Sequence, residues 1–368
     1  MFPAPGYSRP MGQHEAEIDR IRRACTRWLA WHGDRTATGM LSELPADITP
    51  DRYGEGGVVE ELETHLADLL GMPAAAFFVS GTMAQQIALR IHADRRNRRT
   101  IAFHPTSHVE MHEGGAFERL HDLVGRPVGD PYRPLTLESL EEVAEPLGAL
   151  LLELPQREIG GQLPDWEDLL AQTAWARDRG AAIHLDGARL WQCPPAYDRP
   201  LEEIAGLFDS VYVSFYKDLG ALAGSGLAGP EDFIAEAREW RLRHGGTLFA
   251  MWPYAASALA SVRSRLPRMK SYRDHALAIA DALRDLDRVR VVPDPPHTSM
   301  FHLHLGISPD VLQANALRIA EEQGIWTWKT TFPGTHPDWQ IVELTVGDST
   351  LDFEPGEVRD LITRLVAD

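Results

Sequence analysis

From Ala74 onward the chain alternates short apolar runs with amphipathic helical stretches, and few architectures accept that pattern. The runs are AAAFFVS, TIAFHP, ALLLELP, AAIHLDG and SVYVSFY, with polar helical segments such as DWEDLLAQTAWARDRG between several of them. Short buried strands separated by helices predict an α/β fold, with a mostly parallel sheet covered on both faces. In such sheets ligands gather at the carboxyl ends of the strands. Ser80-Gly81-Thr82, His104 to His108, Asp186 and Lys217 all fall at predicted strand ends.

The flanking sequence reads differently. Residues 1–13 are rich in Pro and Gly and read as an arm. HEAEIDRIRRACTRWLAWHG predicts an amphipathic helix, with Ile18, Ile21, Cys25, Trp28 and Leu29 on one face and Gly33 as its stop. VVEELETHLADLLG predicts a helix that ends at Gly71. After about residue 260 an Arg-rich helical stretch leads to strand-like RVRVVP, SMFHLHLG, IWTWKTT and WQIVELTVG, with helices from Pro309 and Glu354. The expected division is an N-terminal arm and helix (1–40), a large domain (41–260) and a smaller α+β domain (261–368).

Charge and cysteines narrow the function. Lys and Arg number 36 against 54 Asp and Glu, a formal charge of −18. That balance disfavours a nucleic-acid partner or an anionic membrane surface. The two cysteines, Cys25 and Cys193, lie far apart without CxxC spacing, so neither a disulfide framework nor a thiolate metal site is expected. No run is long and apolar enough to span a bilayer, and no leader pattern opens the chain, so the expected location is the cytoplasm.

Two strand-end residues carry the strongest chemical signal. Lys217, in SVYVSFYKDLGALAGSGLAG, supplies an amine, and Asp186, in AAIHLDGARLW, supplies a carboxylate. Pyridoxal 5'-phosphate needs both: an amine to condense with its aldehyde, and an acid to keep its ring nitrogen protonated. The small, apolar residues from Gly220 to Gly229 predict a closely packed, partly desolvated lysine, and such a site lowers an amine's pKa. In VSGTMAQQIAL a strand runs into Ser-Gly-Thr and then a helix, which offers free N–H groups and a favourable dipole to a phosphate. An isolated Ser-Gly-Thr also serves as a plain N-cap, and an Asp before Gly as an ordinary turn. His104, His108 and His112 are spaced by four, but Pro105 breaks the helix that a metal pair needs, and no metal is expected. Stacking on a cofactor or relaying a proton suits one of these histidines better.

Between Tyr53 and about Gly229 the chain resembles the threonine aldolase/β-eliminating lyase family, fold type I pyridoxal phosphate enzymes of the aspartate-aminotransferase-like fold. The matching pieces are YGEGGVVEELETHLADLLG, FFVSGTMAQQIAL, SHVEMHEGGAFERL, GGQLPDWEDLL, HLDGARLW and KDLGALAGSGLAG. The resemblance implies that Lys217 bonds the cofactor aldehyde, Asp186 pairs with the ring nitrogen and His108 stacks on the ring. It implies that Ser80, Gly81 and Thr82 hold the phosphate, that Arg189 reaches the ring oxygen or the substrate carboxylate, and that Arg241 adds a phosphate contact. A homodimer or homotetramer is implied as well.

The same resemblance breaks at substrate positions. The family's opening Ser-Asp-Thr-Val-Thr segment is missing from residues 34–50. Glu-Asn-Thr-His becomes Glu153-Leu154-Pro155-Gln156, the Met-Arg-Gln stretch becomes Gly246-Thr247-Leu248-Phe249, and a carboxylate-binding arginine becomes Glu343. The implied activity is aldol cleavage of a β-hydroxy-α-amino acid to glycine and an aldehyde, on a substrate other than threonine. His108, His104 or a bound water is left to take the β-hydroxyl proton, and Trp191, Phe249 and Trp252 suggest a bulky β-substituent. Elimination, racemisation and transamination are the alternatives with the same cofactor, and a non-catalytic binding or assembly protein the alternative without it.

Overall fold

All five apolar runs become strands of one seven-stranded sheet in the computed structural model, which describes residues 13–328, 331–334, 336 and 338–368. The backbone divides into two compact units, Thr36–Lys270 and the described part of Met1–Arg35 with Ser271–Asp368. The sheet lies in the first. Its strands are β1 (Ala74–Phe78), β2 (Thr100–Phe103), β3 (Val124–Pro127), β4 (Ala149–Glu153), β5 (Ala182–Gly187), β6 (Ser210–Ser214) and β7 (Ser225–Gly229). They lie in the order β1-β7-β6-β5-β4-β2-β3. The β2–β3, β2–β4, β4–β5 and β5–β6 pairs are parallel, and β7 runs antiparallel to both β6 and β1. Every residue of β5, β6 and β7 is buried, as a sheet with helices on both faces requires.

Three helices of this unit position the site. α1 (Gly57–Leu70) buries Val58, Leu62, Leu66 and Leu70, one face at the helical spacing, and ends at a left-handed Gly71. α2 (Gly81–Arg96) follows β1 directly. α3 (Glu231–Arg243) follows β7 and packs on α2 and β1 through Phe233, Ile234 and Ala237.

Strand β1 is an outer strand, and its open side is closed by side chains rather than by another strand. Glu63 of α1 accepts from Phe77 N at 2.7 Å. Arg241 Nη1 and Arg238 Nη2 of α3 donate to Phe77 O (2.6 Å) and Ala75 O (2.9 Å). An uncovered edge would offer those groups to a foreign strand.

The second unit holds an antiparallel sheet of β8 (Val289–Val292), β9 (Met300–Leu305), β10 (Thr331–Pro333) and β11 (Gln340–Thr345), in the order β10-β11-β9-β8. The helices Pro309–Gln323 and Pro355–Leu365 belong to it. The N-terminal helix is shorter than the periodicity predicts. It spans Gln13–Ala24, after which Thr26 N and Leu29 N donate to Gly324 O (2.8 Å) and Trp326 O (2.9 Å) instead of continuing the helical ladder. Arg27–Trp28 then pairs in parallel with Ile325–Trp326. Most of the expected arm, residues 1–12, lies outside the described residues. Among the described residues no helix is long and apolar enough to cross a membrane.

Candidate active site

The carboxyl ends of β4, β5 and β6 bring three titratable groups together. Glu153, the last residue of β4, and Asp186, the last but one of β5, are direct register partners, and Asp186 is likewise opposite Tyr212 on β6. Lys217 follows three residues after β6 ends. Burial, and then the charge of Arg189, pulls its amine below the ordinary lysine value against the opposing pull of Asp186 and Glu153. Asp186 is almost fully buried and accepts from Ala188 N at 3.1 Å, which holds the turn into Arg189. The Arg189 side chain is largely buried, with Nε 3.7 Å from Asp218.

Glu153 is a site residue that the motifs did not single out, although its place at a strand end is the signal that marked the others. Burial and the neighbouring Asp186 push its carboxyl up to about 7. Its two oxygens accept from His108 N (3.2 Å), Arg157 N (3.1 Å) and Gln156 Nε2 (3.4 Å), so one carboxyl organises two loops.

His108 opens a single helical turn, His108–Met111, and its Nδ1 lies 2.9 Å from Glu113 Oε1. The other Glu113 oxygen accepts from the Gln86 amide. A carboxylate can only accept there, so Nδ1 carries the proton and Nε2 is left as the basic nitrogen. Burial lowers the imidazole pKa, but the Glu113 hydrogen bond and the charge of Asp186 outweigh it, and the net shift is upward. Glu113 is the second residue that went unnoticed; only its place in SHVEMHEGG hinted at it.

The other two histidines of that series are engaged elsewhere. His104 Nε2 lies 2.9 and 2.8 Å from the carbonyls of Asp130 and Arg133, while Nδ1 accepts from Thr106 N at 3.2 Å. With both nitrogens committed, His104 is a loop anchor and not a base. His112 Nε2 lies 2.9 Å from Glu158. Among the described residues no group of three or more His, Cys, Asp or Glu can hold a metal ion.

Ser80-Gly81-Thr82, where the sequence predicts a phosphate cradle, opens α2. Ser80 caps α2 in extended conformation with no side-chain cap hydrogen bond, which leaves its hydroxyl for another acceptor or donor. Gly81 has to be glycine for lack of space: a Cβ there would lie 2.2 Å from the Tyr212 hydroxyl. Arg241, expected at a phosphate, is committed through Nη1 to Phe77 O and stands 3.6 Å from Glu63, while its buried Nε has no hydrogen-bond partner among the described residues.

The aromatic wall inferred from sequence separates into two kinds. Trp191 is fully buried, donates to Ser214 O at 2.8 Å and stacks on Phe215, so it is core and no substrate wall. Phe249 is exposed and meets the Tyr53 ring edge-on at 5.3 Å, and Trp252 is partly exposed. Asp51 ties this region together by accepting from Gly54 N, Met251 N and Trp252 N at 2.7–2.8 Å. Gln156 donates to Thr106 O at 3.1 Å and Thr106 Oγ1 at 3.2 Å. Glu343 lies in the other unit, directly across the β9–β11 ladder from His302.

Known proteins resemble this chain in sequence and in fold. The profile of the Beta-eliminating lyase family matches residues 37–305. A protein of Exiguobacterium sp. 255-15, assigned as an aromatic amino acid beta-eliminating lyase/threonine aldolase, is 38% identical, with a TM-score of 0.88 over 94% of this chain and 99% of that one. A Listeria monocytogenes protein assigned as an L-allo-threonine aldolase is also 38% identical, with a TM-score of 0.89 over 95% of this chain and 98% of its own. The low specificity L-threonine aldolase of Escherichia coli is 29% identical over 68% of this chain and 77% of its own.

Proposed function

The chain belongs to the β-eliminating lyase family, and from that premise we propose that it cleaves a β-hydroxy-α-amino acid, other than threonine, to glycine and an aldehyde with pyridoxal 5'-phosphate. One observation carries the reading: on two neighbouring parallel strands, Asp186 lies at the carboxyl end of β5 and the segment after β6 brings Lys217 to the same end, with Arg189 three residues beyond Asp186. That is the set of charges an amine-bound pyridine cofactor calls for. The residues fit the group. Lys217 would bond its aldehyde, Asp186 would face its ring nitrogen, His108 would lie on its ring, and Ser80, Gly81 and Thr82 would hold its phosphate at the start of a sixteen-residue helix. Arg189 would bind the ring oxygen or the substrate carboxylate. Arg241 would reach the phosphate only with the guanidinium edge that Phe77 leaves open.

Bound there, pyridoxal 5'-phosphate supplies the electron sink for the pair left on Cα when Cα–Cβ breaks. The protein supplies the proton transfers. His108 has Nδ1–H held by Glu113, which leaves Nε2 as its basic nitrogen, and in this reading it takes the β-hydroxyl proton as the aldehyde leaves. Gln156 has no basic atom, and His104 is hydrogen-bonded through both nitrogens. Leu248, at a position where the resemblance implies an arginine, supports a substrate unlike threonine.

The test is product analysis on a panel of β-hydroxy amino acids. Glycine and an aldehyde are expected. Keto acids without glycine would transfer the reading to β-elimination, and a changed configuration alone would transfer it to racemisation. Purified protein should show the visible absorbance of the cofactor on Lys217, lost in Lys217→Ala. Protein that takes up none would refute the catalytic reading. A homodimer or homotetramer and a cytoplasmic location are part of the same proposal, the exposed Phe249 and Leu248 supporting the first. Sedimentation and cell fractionation check them.

A further inference from the structure

Below the groups just assigned runs a chain of hydrogen bonds that the proton transfers do not use. Gln85 Oε1 is 2.5 Å from His184 Nε2, His184 Nδ1 is 2.7 Å from Ser210 Oγ, and Ser210 Oγ is 2.7 Å from His92 Nε2. All four side chains are buried. The proton positions follow from what each atom can do. The Gln85 carbonyl only accepts, so His184 carries its proton on Nε2. Its bare Nδ1 then accepts the Ser210 hydroxyl proton, and the Ser210 oxygen accepts from His92 Nε2–H. Burial keeps both rings neutral, with His184 pushed down to about 3 and His92 well below the ordinary imidazole value. The chain therefore carries no charge.

Its register gives it meaning. His184 and Ser210 are partners across β5 and β6, and the next pair on the same face is Asp186 and Tyr212. On α2, Gly81, Gln85 and His92 fall on one stripe of the helix. Gly81 abuts Tyr212, Gln85 bonds His184, and His92 reaches Ser210. Helix and strands are thus pinned at three levels, the outermost being the cradle and the carboxylate. Apolar packing alone would permit small slides along the helix axis, whereas directional bonds hold one register.

We infer that Gln85, His184, Ser210 and His92 are positioning residues that fix the N-terminus of α2 at one spacing from Asp186, so that a ligand carrying both a phosphate and a pyridine nitrogen is gripped at both ends together. The inference rests on the reading of the site proposed above.

The test compares three probes on the full-length apoprotein by fluorescence titration: pyridoxal 5'-phosphate, pyridoxal and inorganic phosphate. Ser210→Ala and His184→Leu should each raise the dissociation constant of pyridoxal 5'-phosphate by about tenfold or more while leaving those of pyridoxal and phosphate within about twofold. A general loss of stability would not single out the ligand with two ends. Unchanged binding of pyridoxal 5'-phosphate overturns the inference, and so does parallel weakening of all three probes. Ser210→Ala removes a single oxygen and decides the matter should His184→Leu fail to fold. Wild-type protein that binds no pyridoxal 5'-phosphate refutes the site itself, which is a different result from a wild type and variants that bind it equally.

Discussion

Replacing Gly81 by alanine sets two effects of opposite sign against each other. In an exposed helix, alanine for glycine stabilises by roughly 0.5–1 kcal/mol through backbone entropy. Here the new Cβ would lie 2.2 Å from Tyr212 Oη, 3.0 Å from Cζ and 3.2 Å from Cε2. Tyr212 cannot step aside, because it is buried and its strand is paired on both sides, with Asp186 and with Leu227 as its partners. Overpacking of this kind costs about 1–3 kcal/mol, so the clash should outweigh the gain and Gly81→Ala should be net destabilised, by up to about 2.5 kcal/mol. Tyr212→Phe removes the nearest atom and moves the closest contact out to 3.0 Å. The double variant should therefore recover most of the loss, with a coupling of about 1 kcal/mol or more in a double-mutant cycle. Since the displaced element is the phosphate cradle, affinity for pyridoxal 5'-phosphate should fall by about tenfold or more in Gly81→Ala and return in part in the double variant. Urea unfolding and cofactor titration on the four proteins measure both. A Gly81→Ala protein as stable as the wild type, with no coupling to position 212, would refute the steric account of this glycine.

Two further outcomes follow from the carboxyls at the site. Glu153 is pushed up to about 7 from 4.5, so its contribution to the stability of the apoprotein is present below about pH 4.5 and is lost as pH rises through 7. Between pH 5 and 8.5 the wild type should lose on the order of a few kcal/mol that Glu153→Gln does not lose, read by urea unfolding at each pH. Identical pH dependence in the two proteins would show that Glu153 is not held protonated. Glu113 raises the pKa of His108, so Glu113→Gln should move the acid limb of the kcat/KM profile to lower pH. It should also lower kcat on the order of tenfold, a part of the ~10²–10⁴-fold that a positioned proton-transfer group supplies. An unmoved acid limb would separate His108 from the base.

How much of this was legible in the sequence depends on which force governs each residue. The strand-end rule placed Lys217, Asp186 and the Ser80–Thr82 cradle because buried parallel strands write themselves as apolar runs. Strand β7 was invisible, since SGLAG has little strand propensity and reads as a turn. Packing makes it a strand: a Cβ at Gly226 would stand 2.2 Å from Leu66 Cδ2, so only a glycine lets α1 approach. The N-terminal helix overran its true end because its stop is a distant carbonyl, that of Gly324, and no local residue announces it. The partners of Arg241, Phe77 O and Glu63, were equally illegible, because those contacts belong to the tertiary fold. Trp191 looked like a pocket wall because composition does not say whether a ring in the turn Leu190–Gln192 faces a pocket or the core.

The antiparallel strand β7 has a consequence for how the site is assembled. Lys217 sits in the connection of a local hairpin, β6 to β7, which can close early and cheaply. The phosphate cradle, by contrast, is carried by β1, whose Ala74 pairs with Gly229 across more than half of the Thr36–Lys270 unit. That long-range contact is the slow kind. The amine and the proposed phosphate seat therefore depend on contacts of short and of long sequence separation, and uptake of the cofactor through both requires that the outer strand has docked.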